Sequence, residues 1–354
     1  MTKQTQTQSP LLTSIVISSR YLSVWIAIGL LLVMALLIAP ETLTRTSFTA
    51  VRPLTSFLAL AALGQMLVIM TGGIDLSIPG VMTLAALVAV GVAGGADERL
   101  PVALAAALGV SLLIGLTSGF LVGVLKLNPL IVTLAVGQIV YGATLAYAEN
   151  VPNEASVPPS FSAWITAPLF GLSNVEWAAV AATLLLVLLF RYTELGRKFQ
   201  SVGANPTAAW ILGLRVNVYV ILAYMAACLL YGLSGILLAG FLRSPSLVLG
   251  APYLLGPIAA VVIGGASLTG GLASATSTWA AAFFLTLLSQ MLRVLGLPTA
   301  LQFVVFGVAI IGGMVISGDR IITVVENLLR NSAGFRTAEP HERDEDSKGA
   351  PMVG

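Results

Sequence analysis

Asp75 is the residue of this chain whose position most needs a chemical explanation. Residues 71–80 read TGGIDLSIPG, and this stretch lies between two apolar runs with no other charge nearby. A carboxylate among apolar helices is costly unless it is paired, hydrated or protonated. Gly72, Gly73 and Ser77 predict a helix that breaks and restarts, so that Asp75 or Ser77 accepts the free backbone N–H groups. A capping role and a role in lining a gate or a path both remain open.

A second glycine pair, Gly264 and Gly265, predicts another helix break in the C-terminal half. Ser267 stands there at the position that the carboxylate has in the first break, so the two breaks are chemically unequal. Similar sequences follow later in each half, VLKLNP at 124–129 and VLGLP at 294–298. Transporters are often built from two related halves, and the parallel predicts such an arrangement here.

The longest polar interruption of the apolar part of the chain runs from Glu194 to Gly213. Asn205 is a good helix N-cap, Pro206 suits the first helical turn, the alanines that follow favour helix, and Gly213 can close the C-terminus. We therefore expect a capped helix at the membrane surface that serves as a docking site for another protein. An ordinary basic loop is the alternative.

The composition predicts that membrane helices position all these residues. The chain is 57% hydrophobic and 9% charged, whereas soluble domains carry about 25% charged residues. We expect an all-α, polytopic integral membrane protein with about ten transmembrane or partly spanning helices and no separate catalytic domain. The apolar runs lie near 21–39, 53–71, 77–94, 101–125, 129–147, 176–191, 218–241, 253–267, 273–295 and 299–317.

The basic residues predict how the chain is oriented. If the N-terminus is cytoplasmic, twelve Lys and Arg residues fall on the inner side and five on the outer side, as the positive-inside rule requires. We expect a cytoplasmic tail at 1–20, a transmembrane domain at 21–317 with a cytoplasmic loop at about 192–217, and a partly disordered cytoplasmic tail at 318–354. The outer segment 148–175 is either a landing surface for an external protein or a solvated loop.

The sequence lacks the motifs of a catalytic or energy-converting chain. It has no GxxxxGK[ST] phosphate-binding loop and no plausible nucleophile with a base. Cys228 is its only cysteine and His341 its only histidine, which leaves no cluster for a transition metal. Its net charge of +2 implies neither nucleic-acid binding nor an acidic partner. Such a chain supplies a path, and an external motor attached to the polar loop is the simplest source of energy.

Four segments in order resemble the membrane permease subunits of ABC-type monosaccharide importers, the ribose, xylose and arabinose permease group. The resemblance runs from about residue 61 to residue 316. Its pieces are GGIDLS at 72–77, GFLV at 119–122 with NPLIVTL at 128–134, GR at 196–197 with GANPTAA at 203–209, and IAAVVIGGASLTGG at 258–271.

This resemblance implies a non-catalytic permease of the bacterial inner membrane that pairs with a second permease subunit. Cytoplasmic ATP-binding subunits would carry the ATP and Mg²⁺, so that this chain binds no cofactor itself, and a periplasmic binding protein would deliver the sugar. Membrane lipid surrounds such a subunit. Residues 203–213 look like its coupling helix. The candidate residues for coupling to the ATPase are Gly196, Arg197, Gly203, Asn205, Pro206, Ala208, Ala209 and Gly213.

Polar residues in or beside the spans are candidates for the substrate path, although each could equally form a hydrogen bond between helices. They are Gln65, Asn128, Thr133, Gln138, Tyr141 and Gln290. The chain departs from the family where YLLGP at 253–257 replaces a stretch that often reads Tyr-Glu-Leu-Asp, which leaves the sugar and the pairing partner open. Two alternatives remain: an importer for another solute, such as a furanose-like signal or a branched-chain amino acid, and a secondary transporter with Asp75 as its ion site.

Overall fold

Each of the ten apolar runs forms a helix in the computed structural model, which describes residues 10–151, 156–244 and 246–317. A helix satisfies its own backbone N–H and C=O groups, which an apolar environment requires. Seven of the described helices are long and apolar enough to span a bilayer. They are α1 (Pro10–Ile38), α2 (Arg45–Met70), α4 (Leu100–Gly123), α5 (Pro129–Ala148), α7 (Asn174–Tyr192), α10 (Val216–Leu242) and α12 (Ala275–Val294).

The remaining elements of the described part are mostly shorter. Strands β1 (Pro168–Leu169) and β2 (Leu172–Ser173) form an antiparallel hairpin. Short 3₁₀ turns occupy Pro40–Leu43, Asp97–Arg99 and Ala251–Tyr253. The other helices are α3 (Ile78–Ala93), α6 (Pro159–Thr166), α8 (Glu194–Ala204), α9 (Pro206–Ile211), α11 (Gly256–Ile263) and α13 (Thr299–Ser317).

One boundary differs from the sequence-based expectation. Helix α1 begins at Pro10, inside the segment 1–20 that we expected to be a polar tail, because the apolar residues of 11–18 continue the helix. The predicted C-terminal tail, 318–354, lies outside the described residues. The expected all-helical membrane fold is confirmed.

Helix α2 is the centre of the bundle. Every residue from 55 to 70 is buried, and α2 packs against α7, α10, α11 and α12. Small residues allow this close packing: a Cβ on Gly64 would come within 2.6 Å of the Tyr231 ring. Helix α10, the most extensively packed partner, also contacts α3 and α4. The segment that follows α2 is therefore held deep inside the protein.

The contacts between loops define two ends of the bundle. At one end the Gly271 N–H donates to the Met70 carbonyl at 2.9 Å and the Lys126 ammonium donates to Asn217 at 2.6 Å. Among the described residues, the side chains of this end include one acid, Glu194, and several bases. We call it the basic end. Its basic residues are Lys126, Arg191, Arg197, Lys198 and Arg215.

The opposite end carries the β1–β2 hairpin and is called the hairpin end. Arg52, near the start of α2, donates to the Gly171 carbonyl at 3.2 Å and pairs with Glu176 at 3.2 Å. Glu176 also accepts from the Ser173 backbone and side chain, which completes a capping box at the start of α7. The expected outer loop at 148–175 thus contains ordered structure in its described part.

After α10 the chain turns back towards the bundle interior without forming a long helix. The Gly250 N–H donates to the Thr83 hydroxyl at 3.0 Å, and a Cβ on Gly250 would overlap the backbone of Pro79. Residues 246–255 therefore run beside the first turns of α3 and lead into the short helix α11. We call residues 246–255 the return segment.

The two predicted helix breaks both exist, but they do not divide the chain into two equal halves. The first break is followed by two helices, α3 and α4, before the sequence at 124–129. The second break is followed by α12 alone before the sequence at 294–298. The parallel between the glycine pairs is therefore local, and the expectation of related halves is not reproduced in the order of the elements.

Candidate functional site

The first helix break spans residues 71–77, between the end of α2 and the start of α3. Gly72 adopts a φ of 81°, a left-handed conformation that glycine enters without strain. A Cβ on Gly73 would lie 2.6 Å from the Tyr224 hydroxyl of α10. The two glycines thus have separate tasks, because the first turns the chain and the second lets it pass against α10.

Asp75 is fully buried and holds Ser77, the residue that precedes α3. Its Oδ1 accepts from the Ser77 backbone N–H at 2.8 Å and from the Ser77 hydroxyl at 2.6 Å. Neither of these groups is an N–H of the first turn of α3, so the carboxylate fixes the N-cap residue and does not bond the helix itself. The other carboxylate oxygen, Oδ2, has no hydrogen-bond partner among the described residues. A role in stabilising the start of α3 stays a prediction.

Gln65 and Thr133 hold the break in place from two sides. With its oxygen towards the Asp75 N–H, the Gln65 carboxamide accepts at 3.2 Å and donates to the Asp75 carbonyl at 3.3 Å and the Tyr231 hydroxyl at 2.9 Å. Thr133 accepts from the Leu76 N–H at 3.0 Å. Both side chains are fully buried, so in this conformation they stabilise the break rather than line an open path.

The second break, residues 264–274, has different chemistry. Gly265 is left-handed, with a φ of 85°, and a Cβ on Gly264 would lie 3.0 Å from the backbone of Ser277. Ser267 is half-buried and shares a 2.7 Å hydrogen bond with Thr269. Helix α12 is capped by Ser274, not by Ser267. Ser267 therefore does not cap the helix that follows the second break.

The two breaks and helix α8 meet in one backbone contact, which we call the glycine junction: residues 70–72, 203–204 and 269–271. Gly271 donates to the Met70 carbonyl at 2.9 Å. A Cβ on Gly203 would overlap that same carbonyl and lie 2.8 Å from the Gly271 nitrogen. A Cβ on Gly270, which has a φ of 99°, would lie 3.1 Å from the same carbonyl oxygen. Sequence reasoning did not single out Gly270 and Gly271, although their pairing was a visible signal.

The predicted surface helix is present in a shorter form and after a second helix. Thr193 caps α8 by accepting from Gly196 at 3.1 Å, and Asn205 caps α9 by accepting from Ala208 at 2.9 Å. Gly213 follows α9 with a φ of 82°, as a C-terminal glycine should. The predicted cap at Asn205 is therefore present, whereas the range 203–213 implied by the resemblance begins inside α8, because the extended conformation of Asn205 separates the two helices.

The residues predicted to couple to an ATPase divide into exposed and buried sets. Arg197, Asn205, Pro206, Ala208 and Gly213 are exposed. Gly196, Gly203 and Ala209 are buried. The buried three cannot touch a docked protein directly. They lack bulky side chains where α8 and α9 approach the rest of the bundle.

Helix α8 is fastened to the bundle by aromatic packing. The Phe199 ring lies 5.7 Å from Phe190 of α7 and 6.4 Å from Tyr219 of α10. On the exposed side, Lys198 donates to Glu194 at 2.9 Å. This hydrogen bond and the charges of Lys198 and Arg197 hold the pKa of Glu194 below its usual value. The next helix leaves the apolar side chains Trp210, Ile211 and Leu212 exposed.

Two predicted path residues, Gln138 and Tyr141, line an open groove of about 320 Å³ between α3, α5 and the return segment. Pockets of about 300–1,000 Å³ commonly hold small ligands. Thr83 and Gly80 face the same groove from the first turns of α3, close in sequence to Asp75. The groove therefore combines apolar walls with a few polar groups.

The other two path candidates lie elsewhere. Asn128 caps α5 by accepting from Leu130 at 3.0 Å. Gln290 accepts from Arg293 at 2.9 Å and does not line the groove. Among the described residues, no group of three or more His, Cys, Asp and Glu side chains could hold a metal ion.

A cavity of about 350 Å³ lies on the other side of the return segment, between it and α2, α10, α12 and α13. Leu247, Val248, Ala251 and Leu254 face the groove, whereas Leu249, Pro252, Tyr253 and Gly256 face this cavity. The return segment and the first residue of α11 thus form a single wall between the two spaces.

Comparison with known proteins places the chain among transport permeases. A family model described as a branched-chain amino acid transport system / permease component matches residues 47–314. The ribose import permease protein of Escherichia coli is 31% identical over 299 residues, which is 83% of this chain and 92% of that protein. The galactofuranose transporter permease protein of the same species is 33% identical over 274 residues, 76% of this chain and 79% of that protein.

A third relative broadens the range of solutes that these names record. The autoinducer 2 import system permease protein of Escherichia coli is 28% identical over 333 residues, 91% of this chain and 94% of that protein. No solved structure matches the chain. The extent of these matches shows that the chain belongs to this family of transport-system permease components, with the ABC importer permeases for sugars among its relatives.

Proposed function

We propose that this protein is the permease subunit of an ABC importer that moves a monosaccharide across the inner membrane. ATP would be hydrolysed on separate cytoplasmic subunits. The observation that carries the proposal is the glycine junction. A movement imposed on α8 from outside would be transmitted to both helix breaks, because Gly203 lies against the backbones of Met70 and Gly271.

The charge distribution supports an orientation with the basic end in the cytoplasm. Both chain termini would then be cytoplasmic. The ATP-binding subunits would dock on the exposed face of α9, around Ala208, which is the part of the loop that stands free of the bundle. The hairpin end would face the periplasm and receive the sugar-binding protein on segment 148–175. A second permease subunit, identical or different, would complete the path.

The groove is the part of this chain best suited to line that path. Gln138 and Tyr141 offer hydrogen-bond donors and acceptors to sugar hydroxyls, and the apolar wall offers a passing solute few further hydrogen bonds. Tight binding belongs to the delivery protein, since a solute must leave the path as well as enter it. Closure of the ATP-binding subunits would shift α8 and α9, and the two breaks would repack the spans around the groove.

The names of the relatives support a sugar or a sugar-like solute, namely ribose, galactofuranose, or autoinducer 2. The ligand that the cognate binding protein retains would identify it. An ion-coupled transporter that uses Asp75 is the competing mechanism. In that case uptake would survive loss of the ATP-binding subunits and collapse with the proton gradient.

The docking surface can be tested by Ala208→Glu in proteoliposomes that contain the ATP-binding subunits and the binding protein. Because Ala208 is exposed, the variant should insert normally but lose sugar uptake and solute-stimulated ATP hydrolysis. Ala50→Glu, at an exposed alanine near the start of α2 that lies outside segment 148–175, is the control and should keep normal uptake and normal stimulation of ATP hydrolysis. Normal uptake and normal stimulation in Ala208→Glu would refute the docking proposal.

A further inference from the structure

A third cavity, of about 730 Å³, opens at the basic end and is separate from the groove. It lies between α9, the first turn of α10 and the loop that follows α4. Its described lining residues include two cations and no acid. They are Lys126, Pro206, Thr207, Trp210, Gly213, Leu214, Arg215, Val216, Asn217 and Val218.

The positive charge of this cavity is not neutralised by the described protein. Lys126 donates to the side-chain oxygen of Asn217 at 2.6 Å, and Asn217 is a neutral acceptor. The Arg215 guanidinium has no ion-pair partner among the described residues. Two cations that share a cavity without a carboxylate favour an anionic ligand.

Lys126 has a backbone conformation that is unfavourable for a residue with a side chain. This residue follows the end of α4 with a φ of 57°, the left-handed conformation that glycine usually occupies after a helix. A lysine there is strained relative to glycine. The strained position presents the ammonium group at the rim of the cavity.

The surface beside the cavity is apolar and belongs to the same two helices. Helices α4 and α10 run antiparallel, because Gly119 packs on Ile221 and Gly123 on Asn217. Each of these four contact residues is followed in the sequence by a residue that points to the same side of the helix pair. Those residues are Phe120, Val124, Leu222 and Val218, and all four are exposed.

The cationic cavity thus lies beside an apolar strip on α4 and α10, and this combination matches one class of ligand. We propose that the cavity binds the headgroup phosphate of an anionic phospholipid between Lys126 and Arg215, with the acyl chains along the apolar strip of α4 and α10. Trp210, exposed at the same rim, is the kind of side chain that lies at the headgroup level of a membrane. Basic pockets between membrane helices are suited to such headgroups.

The test measures how lipid stabilises the purified full-length permease in detergent. Phosphatidylglycerol should raise the melting temperature saturably, and phosphatidylcholine should not, because only the former carries net charge. Lys126→Gly relieves the strained backbone while it removes the cation, and Arg215→Gln removes the other. Each single variant should need about fivefold more phosphatidylglycerol for half-maximal stabilisation, and the double variant roughly 30-fold more.

Arg197→Gln is the matched control, because Arg197 is an exposed cation of the same end outside the cavity. It should respond to phosphatidylglycerol as the unmodified protein does. Each variant is compared with its own lipid-free melting temperature, so a change in basal stability does not affect the result. A separate measurement adds inorganic phosphate without lipid, which should give no saturable rise in the melting temperature.

Four results would overturn the proposal. Equal stabilisation by the two lipids, or an equal loss of response in the Arg197 control, would show that the cavity does not select an anionic headgroup. An equal shift with inorganic phosphate would assign the cavity to a soluble anion. If the double variant responds normally to phosphatidylglycerol but no longer retains the ATP-binding subunits, the cavity binds a protein carboxylate instead.

Discussion

Replacement of Gly203 by alanine tests the glycine junction most directly. The added Cβ would overlap the Met70 carbonyl oxygen and lie 2.8 Å from the Gly271 nitrogen. Both neighbours are backbone atoms, so no side-chain rotation can make room. Either α8 must move away or the hydrogen bond between Gly271 and Met70 must break.

The size of the effect follows from these two costs. Overpacking of a close contact costs about 1–3 kcal/mol, and the lost hydrogen bond about 1 kcal/mol. The better helix propensity of alanine returns less than about 1 kcal/mol. We therefore expect Gly203→Ala to lower the free energy of unfolding by about 2–3 kcal/mol. In a chain of this size that corresponds to a fall in Tm of roughly 3–4 °C.

The assay is thermal unfolding of the purified protein in detergent, with uptake measured separately in proteoliposomes. Gly109→Ala in α4 is the matched control, because nothing lies within 4 Å of its added Cβ. That variant should be as stable as the unmodified protein or slightly more stable. If Gly203→Ala melts at the unmodified temperature and transports normally, α8 is not seated on the helix breaks as described.

Three further predictions concern other parts of the structure. Asp75→Asn keeps an acceptor for the start of α3 and should cost about 1 kcal/mol, whereas Asp75→Leu should cost about 2–4 kcal/mol or prevent assembly. A well-expressed Asn variant without any ATP-driven uptake would contradict the capping role. Glu176→Gln should lower stability by about 1–2 kcal/mol in the same melting assay, because it leaves Arg52 without its charged partner. Phe170→Cys, at the tip of the hairpin, should react with an impermeant thiol reagent from outside the cell only. The native Cys228 is buried and should stay silent; labelling of Phe170→Cys from the cytoplasm alone would reverse the proposed orientation.

Local signals predicted much of the fold. Apolar runs gave the helices because length and hydropathy suffice for that step. The cap at Asn205 and the break around Asp75 also followed from residue types that act on their immediate neighbours. Boundaries were less accurate. Asn205 was predicted as the start of a helix, but the helix that precedes it, α8, was not predicted.

The tertiary roles of the polar and glycine residues could not be read from local patterns. Gln65 and Gln138 are both glutamines within apolar runs, yet one bonds the backbone of Asp75 and the other faces an open groove. The difference depends on which face of each helix meets its neighbours. Likewise Gly203 looked like part of a surface, and only the approach of Met70 and Gly271 identifies it as a packing residue.

The return segment has a consequence for how space is distributed inside the protein. It is one layer of chain with the groove on one side and a second cavity of similar size on the other. It contains no long helix, and Gly250 fastens it to α3 through one hydrogen bond to Thr83. A displacement of this layer towards α10 would enlarge the groove by the volume that the second cavity loses. A shift of the return segment alone would therefore change the volumes of the groove and the second cavity in opposite directions, without any change in a spanning helix.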